Sequence, residues 1–332
     1  MYHTRIVTDI DEAGDIWKKA IGDRFVSDLW DVRMAFHENF QRPLHFVVVE
    51  NSRGIAGFLP LTYIEEKESY GYFPGETWEG KTWLEQNRIV ARNKSVFRML
   101  MSRCPSPHHL RYLLPTDSEP PSRGIVDEVG YFFLPPSFDY SMEKYFEQFS
   151  HKSAKRIRKE VAAFEQQGVE FRYDELSDFD HLVGLNLSRF GENSYFHDER
   201  FRKSFESLLN LLRDRGWLRL TTVIIAGEIA AVDMGSMYRG TYTLLAGGTN
   251  GHHPGVAKLI NLHHMERACR ERVDRVDFLC GNFSWKEMFH LTPRPLYQLS
   301  SVPAQVEHHA EIIAPTRLRR RDAVIGTPAH VA

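Results

Sequence analysis

Apolar and polar positions alternate along this chain with two different periods, and the order in which the periods occur predicts its elements. Between residues 9 and 40, acids mix with Ile16, Trp17, Ile21, Phe25, Leu29 and Trp30 at spacings of three to five, as in half-buried helices. The run LHFVVVE at 44–50 is β-branched and apolar, Asn51-Ser52-Arg53-Gly54 supplies turn chemistry, and IAGFLPLTYI follows at 55–64; together they predict a hairpin. A helix is expected over 81–103. The proline- and serine-rich stretch 104–121 is expected as loop around one short strand at 110–114.

The second half opens with SHKSAKRIRKEVAAFEQQG, which places Ala154, Ile157, Val161 and Phe164 on one helical face and Gly168 at its end. A strand at 169–175, helices at 178–188 and 199–215, and a loop through 192–197 are expected next. Three apolar runs, 218–226, 229–238 and 241–249, are separated by Gly227-Glu228 and Arg239-Gly240, which predicts an antiparallel meander. Asn250-Gly251-His252-His253-Pro254-Gly255 then breaks the chain before a helix at 256–272 and a buried strand at 276–280. Beyond 303, Arg317, Arg319, Arg320 and Arg321 stand among small residues without an apolar period, so 303–332 reads as a disordered tail.

With 332 residues, 42% of them apolar, the chain can bury a large core, and its length suggests two domains. Forty-two basic against 44 acidic side chains leave a formal charge of −2, so any contact with nucleic acid or an anionic membrane must be a local patch. No apolar stretch approaches the ~18 residues of a membrane span. Acids occupy the N-terminal positions where a signal peptide needs its apolar core, and a cytoplasmic protein is expected. The three cysteines, Cys104, Cys269 and Cys280, are far apart and form no CxxC pair, which argues against a disulfide framework or a thiolate zinc site.

The clearest chemical signal lies before the helix at 256. Where a strand ends in glycines and a helix begins, backbone N–H groups and the positive end of the helix dipole converge on one point, which suits an anion such as pyrophosphate. Gly247, Gly248, Gly251 and Gly255 meet that description, although such turns also serve purely structural ends, and neither GxxxxGK[ST] nor GxGxxG is present. The paired histidines, His252-His253 and His263-His264 among them, show no HExxH and no acid cluster, so no metal site is expected; His252 or His253 remains available as a proton carrier. Ser188, Ser194 and Cys280 lack a nucleophile framework. Asp233, alone in an apolar strand, is a carboxylate whose pKa burial would raise.

The basic opening at 150–160, GEIAAVDMG at 227–235, HHPGVAKL at 252–259 and DFLCGNFSWKEMF at 277–289 together resemble the GNAT superfamily of N-acetyltransferases. Within it they resemble the branch of FemAB-type peptidoglycan transferases and cellulose-biosynthesis acetyltransferase domains. The resemblance covers about 145–299; in the first half it rests on the hairpin and on FPGETWEGKTWLEQN at 73–87. It implies an α/β (α+β) fold of two GNAT-like domains, each a mixed, mostly antiparallel sheet flanked by helices: a degenerate copy at 1–143 and an acetyltransferase domain at 144–302.

The implied activity is transfer of an acyl group from acyl-CoA, or of an aminoacyl group from aminoacyl-tRNA, to a small-molecule or peptide amine by direct attack, with no tightly bound cofactor. Such a reaction asks for a neutral amine, donors for the oxyanion and a proton for the leaving group. The resemblance assigns Lys286 to the oxyanion or a donor phosphate, and offers Asp277 and Asp233 as bases. Donor binding falls to Gly248, Gly251, His253, Gly255, Val256, Ala257 and Lys258; the aromatic loops bearing Trp78 and Tyr195 read either as an acceptor pocket or as core packing, and Tyr242, Asn282 and Trp285 are further acceptor candidates. The helix cations Lys155, Arg156, Arg158 and Lys159 read either as a solvated face or as an RNA contact. His252-His253-Pro254-Gly255 departs from the usual GNAT turn, which leaves the choice between CoA and tRNA open. A rival reading keeps the fold as a non-catalytic binding component of envelope or polysaccharide assembly.

Overall fold

The chain runs twice through the same succession of elements. The computed structural model describes residues 1–78, 82–115, 125–281 and 284–301. The first pass begins with β1 (His3–Val7), α1 (Ile10–Ala20), α2 (Trp30–Phe40), β2 (Leu44–Asn51) and β3 (Gly54–Ile64). It continues through β4 (Ser69–Tyr72), the short β5 (Val90–Ala91), α3 (Lys94–Ser102), β6 (His109–Leu113) and β7 (Ile125–Phe133). Helices α4 (Met142–Phe146) and α5 (His151–Glu165) lead to the second pass. That pass opens with β8 (Val169–Tyr173), α6 (Asp178–Phe190), α7 (Glu199–Asp214), β9 (Leu218–Ile225) and β10 (Glu228–Tyr238). It closes with β11 (Thr241–Thr249), α8 (Val256–Arg270), β12 (Arg275–Asp277), α9 (Ser284–Met288) and β13 (Thr292–Ser300).

The two passes match in detail. Strands β2 and β9 both have 8 residues, β3 and β10 both have 11, and burial along β3 repeats position by position along β10. Strand β1 lies beside β2 as β8 lies beside β9, and both pairs are antiparallel.

One sheet has the order β1-β2-β3-β4, with β5 on β3; the other runs β6-β13-β7-β12-β11-β10-β9-β8. Within the named strands only β11 and β12 pair in parallel, and a parallel bridge between Tyr70 and His108 joins β4 to β6 at the corresponding point of the first pass. The last strands are exchanged: β7 pairs with β12, and β13 pairs with both β6 and β7. Strands β6 and β7, which precede residue 143, are therefore built into the second sheet, so the sheets do not part at 143/144. The architecture is α/β, with mostly antiparallel mixed sheets flanked by helices.

Local chemistry fixes the helix starts. Asp9 accepts from the Glu12 amide, Asn93 from Val96, Ser150 from Ser153 and Asp198 from Arg200, each at an N-cap. The passes meet in an aromatic cluster where Phe36 of α2 stacks on Trp83 at 5.4 Å and meets Phe205 of α7 edge-on at 5.6 Å.

Two expectations fail locally. The helix expected over 81–103 is confined to Lys94–Ser102; residue 81 lies outside the described residues. Residues ahead of α3 run extended because buried Glu76 accepts the amides of Trp83 and Leu84, at 3.0 and 2.6 Å, and Asn87 bonds to β6. The strand expected to reach 280 stops at Asp277, where Leu279 takes a positive φ of 53°. Strands β1, β7 and β13 had no counterpart in the sequence reading. Among the described residues no helix is long and apolar enough to cross a membrane, and the tail expected at 303–332 lies outside them.

Candidate active site

Strands β11 and β12 run side by side only from Thr241↔Arg275 to Thr243↔Asp277. Strand β11 continues to Thr249 with no strand on that flank among the described residues, which leaves a wedge. Within it Leu245 is an extra residue: Met234 faces Ala246 while Gly235 faces Leu244, a β-bulge that re-aims the strand at the point where the wedge opens. The Asn250 amide donates to the Ala230 carbonyl at 2.8 Å. Antiparallel alternation then turns the N–H and C=O of Gly247 and Thr249 away from β10 and into the wedge. Asn186 of α6 caps the Gly247 carbonyl at 2.9 Å.

The opposite wall is the turn after β12, and Lys286 shapes it. Its buried ammonium donates to the carbonyls of Phe278, Leu279 and Cys280 at 3.0, 2.9 and 2.7 Å. These three bonds use all the donors of an ammonium, and burial lowers its pKa. Lys286 thus pins the turn, and contacts to these three carbonyls are what the structure shows for the ammonium expected at the oxyanion or a donor phosphate.

Against this wedge the first pass lays the segment after Glu76. A small recess, with a cavity volume of about 20 Å³, is lined by Trp83, Leu84, Glu85 and Gln86 from that segment, by Leu208 of α7, and by Thr243, Leu245 and Leu279 of the wedge. The Cys280 amide donates to both carboxylate oxygens of Glu85, at 2.9 and 3.0 Å. Burial pushes the Glu85 carboxyl up to about 7, and nearby Asp277 adds to the rise, against opposing hydrogen bonds from Cys280 and the charge of Lys286. Gln86 donates to Asp277 at 2.7 Å. A recess of mainly apolar walls, holding one carboxyl that changes charge near neutrality, can accept a proton from an amine.

The expected bases lie elsewhere. Asp277 is fully buried, where it accepts from Gln86 and from the Leu279 amide at 3.0 Å. Asp233 is paired with His264 of α8 at 3.0 Å, both side chains being buried, and it lies across Gly247, where a Cβ would strike its carboxylate. Neither lines the recess.

At the head of α8, Gly255 takes φ 94°, which explains the glycine, and no side chain caps the helix. Val256 and Lys258 spend their amides on the carbonyls of His253 and Gly255, at 3.1 and 2.9 Å. Among the described residues, the amides of Gly255 and Ala257 have no protein acceptor. A Cβ on Gly251 would meet nothing within 4 Å, whereas one on Gly248 would lie 2.7 Å from the Leu182 carbonyl. Gly248 is thus small because α6 packs on it, and an anion is not the reason. His253 is bonded to Glu228 at 3.0 Å, Lys258 to Glu160 at 2.5 Å, and the Val256 side chain is buried.

The expected acceptor residues do not converge. Trp78 and Tyr195 meet edge-on at 5.5 Å in the aromatic cluster between α2 and α7, Trp285 packs against Phe278 and Phe289, and Tyr242 faces His264 on the α8 side of the sheet. None lines the recess, and Asn282 lies outside the described residues. The α5 cations Lys155, Arg156, Arg158 and Lys159 are exposed and none is ion-paired among the described residues. Nor does any group of three or more His, Cys, Asp or Glu side chains among those residues suit a metal.

Glu85 and Gln86 were missed because the helix expected over 81–103 covered them; the polar Glu85-Gln86-Asn87 run between Leu84 and Ile89 was the available signal.

Residues 151–287 match the family model of an acetyltransferase (GNAT) domain. No curated protein sequence matches the chain. Among solved structures, a conserved protein of unknown function from Bacteroides thetaiotaomicron is similar with a TM-score of 0.54 at 14% identity, over 89% of this chain and 98% of that one. FemX is similar with a TM-score of 0.51 at 10% identity, over 89% of this chain and 96% of its own. The C-terminal domain of an Agrobacterium fabrum protein named as a candidate lysylphosphatidylglycerol synthetase is similar with a TM-score of 0.51 at 9% identity, over 87% and 92%. Identities this low speak for the fold alone. The family match and the splayed β11–β12 pair agree on a GNAT-type acetyltransferase domain at 151–287, and the doubled fold around it is similar to that of FemX.

Proposed function

We propose that the chain forms an amide by moving an acyl group from acyl-CoA to the amine of a small molecule or peptide. The acyl-bearing arm lies in the wedge between β11 and β12 and the amine enters the recess beside Glu85. The observation that carries this reading is the Glu85 carboxyl at the junction of the recess and the wedge, poised near neutral pH. The Gly247 N–H and the backbone groups of Thr249, which face the wedge, support an extended donor arm that bears amides of its own, and the Gly255 and Ala257 amides support its diphosphate. In the reaction the amine gives its proton to Glu85 as its nitrogen bonds to the thioester carbonyl; the carbon–sulfur bond breaks, and the thiolate leaves and takes up a proton. Backbone N–H groups of β11 beyond the bulge are the donors available to the oxyanion.

A second reading makes aminoacyl-tRNA the donor. It is favoured by the unpaired cations on α5, which would meet phosphates. Thermal melting separates the two: acetyl-CoA at a hundredfold excess over its Kd stabilises by about 2.7 kcal/mol. A shift with acetyl-CoA and none with charged tRNA supports the first reading, and the reverse result supports the second.

A further inference from the structure

The first pass has the same parallel strand pair that forms the wedge in the second, and its opening is occupied. Strands β4 and β6 touch in parallel at Tyr70 and His108, where the Tyr70 amide donates to the Pro107 carbonyl at 2.9 Å. Beyond that point the chain's own residue Asn87 lies along β6. Its amide donates to Tyr112 O at 2.9 Å and its carbonyl accepts from Leu114 N at 2.8 Å, so it pairs with β6 as a one-residue parallel strand. The Asn87 side chain adds a bond from Nδ2 to Arg111 O at 2.9 Å, and Tyr72 Oη on the β4 side donates to Arg88 O at 2.9 Å. Asn87 is almost wholly buried.

We infer that residues 86–88 permanently fill the donor slot of the first pass, so that the chain binds one donor, and that Asn87 is a positioning residue whose seating in that slot delivers Glu85 and Gln86 to the working site. The inference rests on reading the second-pass wedge as the donor site. Its physical basis is continuity: Gln86 adopts a positive φ of 65° immediately before the seated residue. This reverses the chain direction enough for Gln86 to reach Asp277 and for Glu85 to reach Cys280, while Asn87 stays in the β6 ladder. A first pass with an open slot would leave this segment unanchored and the recess without its acid. Loss of donor binding in the first pass and gain of a base in the second are then one structural event.

The test combines titration calorimetry with acetyl-CoA and amide hydrogen exchange on the full chain. The expected result is one acetyl-CoA per chain, with the Asn87 and Leu114 amides protected equally with and without it. Two acetyl-CoA per chain, or loss of protection at those amides when acetyl-CoA is added, would overturn the inference. So would fast exchange there in the free protein, whatever the stoichiometry. Protected amides with no acetyl-CoA bound would uphold the filled slot and instead contradict acyl-CoA as donor. For the positioning role, Asn87→Ala should move the acid limb of the kcat/KM pH profile from about pH 7 toward the ordinary carboxylate range and lower kcat at least tenfold. An unmoved limb with an unchanged kcat would overturn that role.

Discussion

Glu85 and Cys280 stand 195 positions apart in sequence, yet the Cys280 amide donates to both oxygens of the Glu85 carboxylate, at 2.9 and 3.0 Å. The contact joins the first pass to the turn that closes the second-pass wedge. In the proposed reaction it makes the site a product of both passes, since neither supplies both the Glu85 carboxylate and the wedge.

Replacing Glu85 should separate stability from activity. Its folded pKa, about 7, lies above its ordinary 4.5, so the folded protein holds a proton there that the unfolded chain releases. Stability from this group is therefore full below about pH 4.5, falls as pH rises to about 7, and is flat beyond. At ~1.4 kcal/mol per pKa unit, the advantage of Glu85→Gln over the wild type should grow by up to about 3 kcal/mol between acid and alkaline pH. Urea unfolding at a series of pH values measures it, and a constant difference would contradict the burial of the charge.

Lys286→Met should act on the fold before the chemistry. It leaves three carbonyls without their donor, at ~1–3 kcal/mol each where water cannot replace it. We expect a melting temperature lowered by many degrees. An unchanged melting temperature with a collapsed kcat would return the ammonium to the substrate.

Asp233→Ala should cost about 1–3 kcal/mol, because it leaves the buried His264 without its hydrogen-bond partner. Measured at a temperature where the variant is folded, its KM values should match the wild type. A specific loss of kcat in folded protein would mark Asp233 as a base after all.

Charge reversal on α5, Lys155→Glu with Arg158→Glu, should alter kcat/KM for acetyl-CoA less than about threefold. If tRNA is the donor, the same pair should weaken RNA binding and flatten its dependence on salt. Filter binding across a salt series reads the difference.

The meander β9–β11 and the helix α8 were legible because their apolar periods and turn residues agree with the tertiary outcome. The hairpin β2–β3 was legible for the same reason. Strand β12 was read too long because Phe278, Leu279 and Cys280 are apolar, and nothing local shows that Lys286 gathers their carbonyls into a turn. Lys286 itself was recognised as important, but a lysine that meets substrate and one that holds a strand end have the same neighbours in sequence. Asp233 stood out as a lone acid in an apolar strand, and its reason is His264, 31 positions away. Glu85 lay within a segment singled out by resemblance, yet its partner Cys280 belongs to the other pass. Pairings made across the pseudo-repeat leave no periodic trace, so the site was the least legible part of the chain.

Whether Glu85 takes the proton of the amine is decided by the pH dependence of kcat/KM for acetyl transfer, compared between the wild type and Glu85→Gln. With Glu85 as the base, the wild-type rate falls tenfold per pH unit below about 7, and the variant is slower by ~10²–10⁴ and has lost this limb. A folded variant with wild-type rate and an unchanged acid limb would contradict that role.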